Sequence, residues 1–319
     1  GAGVAQAAAA AGYSVLVLEQ YDEAAKGSSS RSSKLIHGGL RYLESGEFHL
    51  VRECLRERAI LLRNAPHLVK LVPFHIPVYR NTRRRPWNIA LGLTIYSLFS
   101  RKRLHRISSS DWNRLDGLRS DHLDAVFSYY DAQTDDAHLT RSVLQSARTL
   151  GAKVITGAEF RQARLDSGEV KVGYQKNGQS TTVAARVLVN AAGSWVNHVL
   201  QRVQQPSGAA MELYAMDLVQ GTHIVVPGQI SHPYYLEAPQ DGRAVFVLPW
   251  KNNIMVGTTE LNYHGDPTDV RPTEAEIDYL LEIYNHYFKR ELASADVIEA
   301  FAGLRVLPAG GGNASTKSR

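Results

Sequence analysis

Residues 1–19, GAGVAQAAAAAGYSVLVLE, carry three signals in one short run. Gly1-Ala2-Gly3 opens an alanine-rich stretch from Ala5 to Ala11, and alanine has the highest helix propensity of any residue. Gly12 follows, where a helix C-cap is expected. Tyr13 to Leu18 is then an apolar run of strand length, ending on the acid Glu19. Helix, turn and strand in this order suggest a βαβ unit without its first strand, so the chain is expected to be a piece of a longer one. In the dinucleotide fingerprint, glycines let the backbone approach a pyrophosphate at the helix N-terminus, and an acid about 20 residues later binds ribose hydroxyls. Gly1 fits the last glycine, Gly3 lies in the first turn, and Glu19 fits the acid. Alanine-rich helices flanked by glycines also occur in α/β proteins that bind no nucleotide.

The next segment, Ser28 to Glu44, reads SSSRSSKLIHGGLRYLE. It combines hydroxyls, a lysine, a histidine, a Gly-Gly pair and an Arg-Tyr pair. Directly after a strand ending in an acid, this composition points to a dinucleotide cofactor and a polar, anionic ligand in one site. The alternatives are a plain flexible loop for the serines and a surface arginine beside a packed tyrosine for Arg41-Tyr42.

From Ser32 onward, SSKLIHGGLRYLE resembles the flavin-contacting stretch of FAD-dependent glycerol-3-phosphate dehydrogenases of the respiratory, quinone-reducing kind. Other segments resemble that family in the same order. They are Tyr130-Asp131 with Asp135 to Leu139, Val187 to Val196, Gly221 to Pro227, Phe246 to Trp250 with Gly257-Thr258-Thr259, and Phe301 to Arg305. Glu260 departs from the aspartate common there, and Val306 from the usual proline. The resemblance implies an α/β fold: a Rossmann-like FAD-binding domain interleaved with an α+β substrate domain on an antiparallel sheet, in a D-amino-acid-oxidase-like architecture. The expected division is 1–72 in the FAD-binding domain and 73–135 as a helical, basic segment facing substrate or membrane. Residues 136–210 return to the FAD-binding domain, 211–299 form the substrate domain, and 300–319 return to the FAD-binding domain.

The reaction implied is oxidation of sn-glycerol 3-phosphate to dihydroxyacetone phosphate, with hydride transfer to FAD and electrons passed to a membrane quinone. Gly1, Gly3, Glu19, Ser29, Ser33, Lys34, His37, Gly38, Gly39 and Gly193 are the expected cofactor residues. Arg41 and Tyr42 are expected at the phosphate, where a guanidinium binds bidentately and a phenol adds a neutral donor. Thr258 and Thr259 are expected at the pocket mouth. Arg305 is the second candidate cation, beside the flavin. His223 is the candidate base, because an ordinary histidine pKa of about 6.5 suits proton transfer near neutrality; a satisfied histidine on an inner strand is its alternative. For the whole chain, an FAD-dependent amine or amino-acid oxidase of the same fold, or an inactive fragment, stays open.

The bulk properties narrow the class. The 319 residues are 44% hydrophobic and 21% charged, as for a globular chain with room for two domains. The one cysteine, Cys54, excludes an internal disulfide framework. Twelve histidines show no ligand spacing, so no metal is expected. No apolar run reaches the ~20 residues of a membrane-spanning helix. Arg80, Arg83, Arg84, Arg85, Arg101, Lys102, Arg103 and Arg106 flank the apolar run Trp87 to Phe99, and no acid interrupts the block before Asp111. Residues 80–106 therefore suit an anionic membrane surface, with a core helix between solvated flanks as the alternative; nucleic acid is not expected. A homo-oligomer is left open. The implied location is peripheral, on the cytoplasmic face of a bacterial inner membrane, with the cytoplasm second.

Overall fold

The computed structural model describes residues 1–43 and 45–309, and Arg41 by its backbone only. The first helix, α1 (Ala2–Ala10), is built of small residues, so it can lie close to a neighbour; Ala5 and Ala9 bury against Ala147 and Ala152. Along the chain follow β1 (Leu16–Glu19), β2 (Leu35–Ile36), α2 (Phe48–Asn64), β3 (Val69–Tyr79), α3 (Pro86–Ser100), β4 (His105–Arg106), β5 (Leu123–Thr134) and α4 (Asp136–Thr149). Next come β6 (Lys153–Thr156), β7 (Glu159–Asp166), β8 (Glu169–Lys176), β9 (Gln179–Ala185), α5 (Val196–Leu200) and β10 (Val203–Gln204). The last third holds β11 (Met216–Pro227), β12 (Tyr234–Glu237), β13 (Ala244–Trp250), β14 (Asn253–Gly257), β15 (Leu261–Tyr263), α6 (Glu274–Tyr287) and β16 (Glu299–Pro308).

Two units result. In the cofactor unit β1 pairs in parallel with β6, α1 packs on α4, and β7 to β9 form a meander edged by β10. The second unit is a ten-stranded sheet in which β11 pairs antiparallel with β14 and β15 on one side and with β16 on the other. Strand alternation sends Ile224 and Val226 to a core with Leu280, Ile283 and Tyr284 of α6. It sends Val225, with Met255 and Leu248, to a second core with Val51 and Leu55 of α2 and Leu93 and Tyr96 of α3. α6 begins in a capping box: the Thr273 hydroxyl accepts from the Glu276 amide, and the Glu276 carboxylate accepts from the Thr273 amide.

The structure moves three expected boundaries. Residues 73–135 are not mainly helical, since β3 and β5 span most of them and α3 is the one α-helix. Pro73 and Pro77 lie inside β3. The His75 amide points to β12 and bonds the Pro233 carbonyl, and β12 pairs with β3 only at His75. The missing N–H groups of Pro73 and Pro77 fall on that same, otherwise unpaired side, so the prolines cost no ladder bond. Residues 299–308 do not return to the cofactor unit: β16 runs beside β11 from Met216 to Val225. Arg186 to Asn190, in the 136–210 segment expected to belong to the FAD-binding domain, is extended but forms no ladder, because no described strand lies beside it, and Val187 and Val189 are exposed.

Candidate active site

One row of paired residues crosses the sheet on the α2/α3 face: Phe301 of β16, His223 of β11 and Gly257 of β14. The His223 ring stacks on Phe301 at 5.1 Å and 12°. Its other flank needs a glycine, since a Cβ on Gly257 would stand 2.1 Å from the His223 Cδ2. Gly221, two residues before His223, faces the same way, and the Thr258 Oγ1 lies 2.5 Å from where its Cβ would be. Thr258 is therefore on this face, half-buried, beside His223. Thr259 points to the opposite face. Its hydroxyl accepts from the Thr222 amide at 2.8 Å and donates to Glu276 at 2.6 Å. Thr259 is 3% exposed and braces α6 to the sheet, which removes it from the pocket mouth.

The serine-rich segment caps the free edge of β16. Ser28 Oγ donates to the Leu304 carbonyl at 2.6 Å and Arg31 Nη1 to the Ala302 carbonyl at 2.8 Å. These bonds occupy acceptors that an edge strand otherwise exposes. The chain then crosses to β11, where Ser33 Oγ meets His223 Nε2 at 2.9 Å. Asp136, at the start of α4, holds the crossing in place. One carboxylate oxygen accepts from the Ser32 amide and hydroxyl, and the other from Lys34 Nζ at 2.8 Å. Lys34 is buried, donates also to the Ser30 carbonyl, and lies 5.1 Å from the Phe301 ring centre. Its pairing with Asp136 braces the loop.

His223 is 2% exposed, and burial, aided by the charges of Lys34 and Arg305, lowers its pKa to about 3. The imidazole is neutral at physiological pH. Ser33 holds one ring nitrogen, and Nδ1 has no hydrogen-bond partner among the described residues. Arg305 is half-buried and ion-paired with Glu260 at 3.1 Å. Glu260 lies also 3.6 Å from Arg243, itself bonded to Asp241 at 2.8 Å. Arg305 is thus one end of a row of ion pairs with Glu260, Arg243 and Asp241.

Other expected residues fall out as follows. Ser29 and His37 are exposed. Gly38 is pressed against the core, where a Cβ would meet the Tyr96 Oη at 2.1 Å, so packing alone already requires a glycine there. Gly39 has φ +76 and lies over the Tyr42 ring, which packs against the α2/α3 core. The Arg41 backbone is in a 3-10 turn, Leu40–Leu43, and its side chain lies outside the described residues. Sequence reasoning missed Asp136 as the clamp of the serine-rich loop. It also missed Arg58, although Val51, Leu55, Arg58 and Leu62 share one helical stripe, and a charge on such a stripe signals a buried partner.

The cofactor unit fits a dinucleotide. α1 starts at Ala2 behind Gly1, so its first amides have no intrahelical acceptor. Nothing lies within 4 Å of a Cβ on Gly3 or on Gly193, whose φ is +56, leaving both turns open to approach. Glu19 ends β1 with Oε1 accepting from the Tyr21 amide at 3.1 Å, and burial raises its pKa. A shallow open groove, lined by Tyr21, Gly27, Arg31, Trp195 and Gly303 among others, runs between the cofactor unit and β16. Glu19 suits a ribose and the α1 amides a pyrophosphate. When bound there, FAD supplies a hydride acceptor.

Known proteins agree with this geometry. The chain is 41% identical over 315 residues to a glycerol-3-phosphate dehydrogenase of Pseudomonas aeruginosa, covering 96% of this chain and 59% of that protein. It is 40% identical over 329 residues to a D-erythritol 1-phosphate dehydrogenase of Brucella abortus, covering 100% of this chain and 64% of that protein. The chain thus spans about three fifths of the length of these curated relatives. Among solved structures, the FAD complex of a Bacillus halodurans glycerol-3-phosphate dehydrogenase superposes with a TM-score of 0.78 at 26% identity, over 96% of this chain and 54% of that one. A glycine oxidase from Geobacillus kaustophilus, at 18% identity and TM-score 0.72 over 97% of this chain and 80% of that one, shares the fold. The sequence profile of the FAD-dependent oxidoreductases matches residues 1–315, and the chain belongs to that family.

Proposed function

We propose that this chain is the body of an FAD-dependent dehydrogenase that oxidises sn-glycerol 3-phosphate to dihydroxyacetone phosphate. The observation that carries the reading is His223: buried, neutral, and steadied at one nitrogen by Ser33 of the segment that resembles a flavin-contacting stretch. Oxidising a secondary alcohol removes a hydride from carbon and a proton from the hydroxyl. A neutral imidazole can accept that proton, although burial has removed the match to neutrality that made His223 the candidate base in sequence, and Phe301 and Gly257 fix its plane. Placement contributes much of the rate, since a well-oriented pair saves about 7–11 kcal/mol of barrier. Thr258 on the same face supplies a hydroxyl for the substrate. Arg41 and Arg305 are the cations proposed for the phosphate. A second substrate, D-erythritol 1-phosphate, is favoured by the 40% identity to the Brucella enzyme across the whole chain. Anaerobic titration of the whole flavoprotein separates these readings. Bleaching by glycerol 3-phosphate is expected, bleaching by erythritol 1-phosphate alone moves the substrate to the longer polyol, and bleaching by glycine alone overturns the polyol reading.

Electrons are proposed to pass to a quinone at the cytoplasmic face of a bacterial inner membrane. α3 supports this placement, although among the described residues no helix is long and apolar enough to cross a membrane. Its inner side buries Leu93 and Tyr96, while Trp87, Leu91 and Leu98 stand 69%, 56% and 74% exposed on the other side. Arg83, Arg85, Arg101, Lys102 and Arg103 are exposed at its ends. Arg84 and Arg80 leave the basic block, paired with Glu237 at 2.9 Å and with Asp124 at 3.2 Å. Each basic residue at an anionic leaflet contributes about 1 kcal/mol, so replacing Arg101, Lys102 and Arg103 by serine should weaken binding to phosphatidylglycerol vesicles about 100-fold. Unchanged sedimentation with vesicles would sink the surface placement.

A further inference from the structure

Asp131 of β5 is 2% exposed, yet it is surrounded by donors. Arg58 Nη1 of α2 donates at 2.6 Å and the Tyr96 hydroxyl of α3 at 3.2 Å. The Gly38 amide reaches both carboxylate oxygens, at 3.0 and 3.2 Å, and the Ala132 amide donates at 3.1 Å. Arg58 in turn donates to the Tyr96 hydroxyl and the Tyr130 carbonyl, each at 3.1 Å. Burial pushes the Asp131 carboxyl up, and Arg58 beside it opposes that shift.

Such a cluster is a costly way to join two helices to a sheet. Around it the same core packs apolar side chains, Val51, Leu55, Leu93 and Phe127 among them. What a carboxylate adds, and an apolar side chain cannot, is an acceptor aimed at one amide. That amide belongs to Gly38, four residues after the Lys34 that Asp136 clamps. The segment from Ser32 to Gly39 is therefore held at both ends by aspartates, with the Ser33–His223 contact near the first. Gly38 has no slack sideways, because a Cβ there would stand 2.1 Å from the Tyr96 Oη and 2.3 Å from Leu55.

We propose that Asp131 is a positioning residue: through the Gly38 amide it fixes the His37–Gly39 backbone relative to Ser33 and His223, with Arg58 and Tyr96 holding its carboxylate in aim. Its bearing on turnover rests on the oxidoreductase reading; the bond itself does not. The test is Asp131→Asn in the whole protein, read first by amide hydrogen exchange without substrate. Exchange at His37 to Gly39 should quicken about tenfold, while β13 and β14 exchange as before. In turnover with glycerol 3-phosphate, kcat should fall with KM nearly constant, and the flavin absorption band should shift. Unchanged exchange at His37 to Gly39, or exchange quickened alike across the sheet, overturns the proposal. Should Asp131→Asn fail to fold, Asp131→Glu, which keeps the charge and displaces the carboxylate by one methylene, is judged by the same criteria. A positive exchange result without flavin reduction by glycerol 3-phosphate keeps the positioning role and removes the substrate.

Discussion

The two faces of β11 carry polar side chains of opposite character. On the α6 face, Glu276 is buried and saturated. It accepts from Thr222 and Thr259 hydroxyls at 2.8 and 2.6 Å, from Gln220 at 2.7 Å, and from the Thr273 amide and hydroxyl at 3.0 and 2.9 Å. On the other face, His223 is as deeply buried but keeps one nitrogen without a partner among the described residues, and its burial leaves it neutral. Buried polar groups are normally satisfied, so complete satisfaction marks a structural brace and incomplete satisfaction marks a group kept for something else. Adjacent residues on one strand, Thr222 and His223, thus serve different ends because the pleat separates them.

The largest effect should come from exchanging the roles of these two groups. His223→Asn is expected to lower kcat about 10²–10⁴-fold, while stability falls by only about 1 kcal/mol for the Ser33 bond. Glu276→Ala should do the reverse. Leaving four side-chain donors without their acceptor should cost about 3–4 kcal/mol, with kcat per folded molecule retained. Urea unfolding and single-turnover flavin reduction measure the two quantities. If His223→Asn destabilises as strongly as Glu276→Ala and keeps its turnover, the distinction between the faces collapses and His223 is a core histidine.

Much of this arrangement was legible in the sequence where local pattern sets structure. The Ala5 to Ala11 run, Gly12 and the strand ending at Glu19 gave α1 and β1, and Thr273 with Glu276 gave the start of α6. The β13–β14 hairpin was marked by Lys251 and Asn252, both of which adopt positive φ. What failed depended on partners distant in sequence. Pro73 and Pro77 argue against a strand in sequence, and only the limited pairing of β12 makes them tolerable in β3. Lys34 was named as a cofactor residue, and its pairing with Asp136, about a hundred positions on, could not be read from sequence. Phe301 to Arg305 was assigned to the cofactor unit because flavin contact was expected there; pairing with β11 instead makes it the wall opposite that unit. Thr258 and Thr259 could not be separated in sequence, because which of two neighbours faces a site depends on register.

The smallest effect expected is also the sharpest use of that register. Thr259→Val removes a hydroxyl that donates to Glu276 and accepts from the Thr222 amide, so it should cost about 1–2 kcal/mol and leave KM for glycerol 3-phosphate unchanged. Thr258→Val removes a hydroxyl whose one described bond goes to the Thr259 carbonyl at 3.2 Å. Its stability should stay within about 0.5 kcal/mol, while KM rises several-fold. The two side chains have nearly the same volume as valine, so packing is held constant and the hydroxyl alone is tested. Equal KM values for the two variants would place Thr258 outside the site and leave His223 without a polar neighbour of β14 origin; a KM effect at Thr259 would mean that the face carrying Glu276 is not insulated from the substrate.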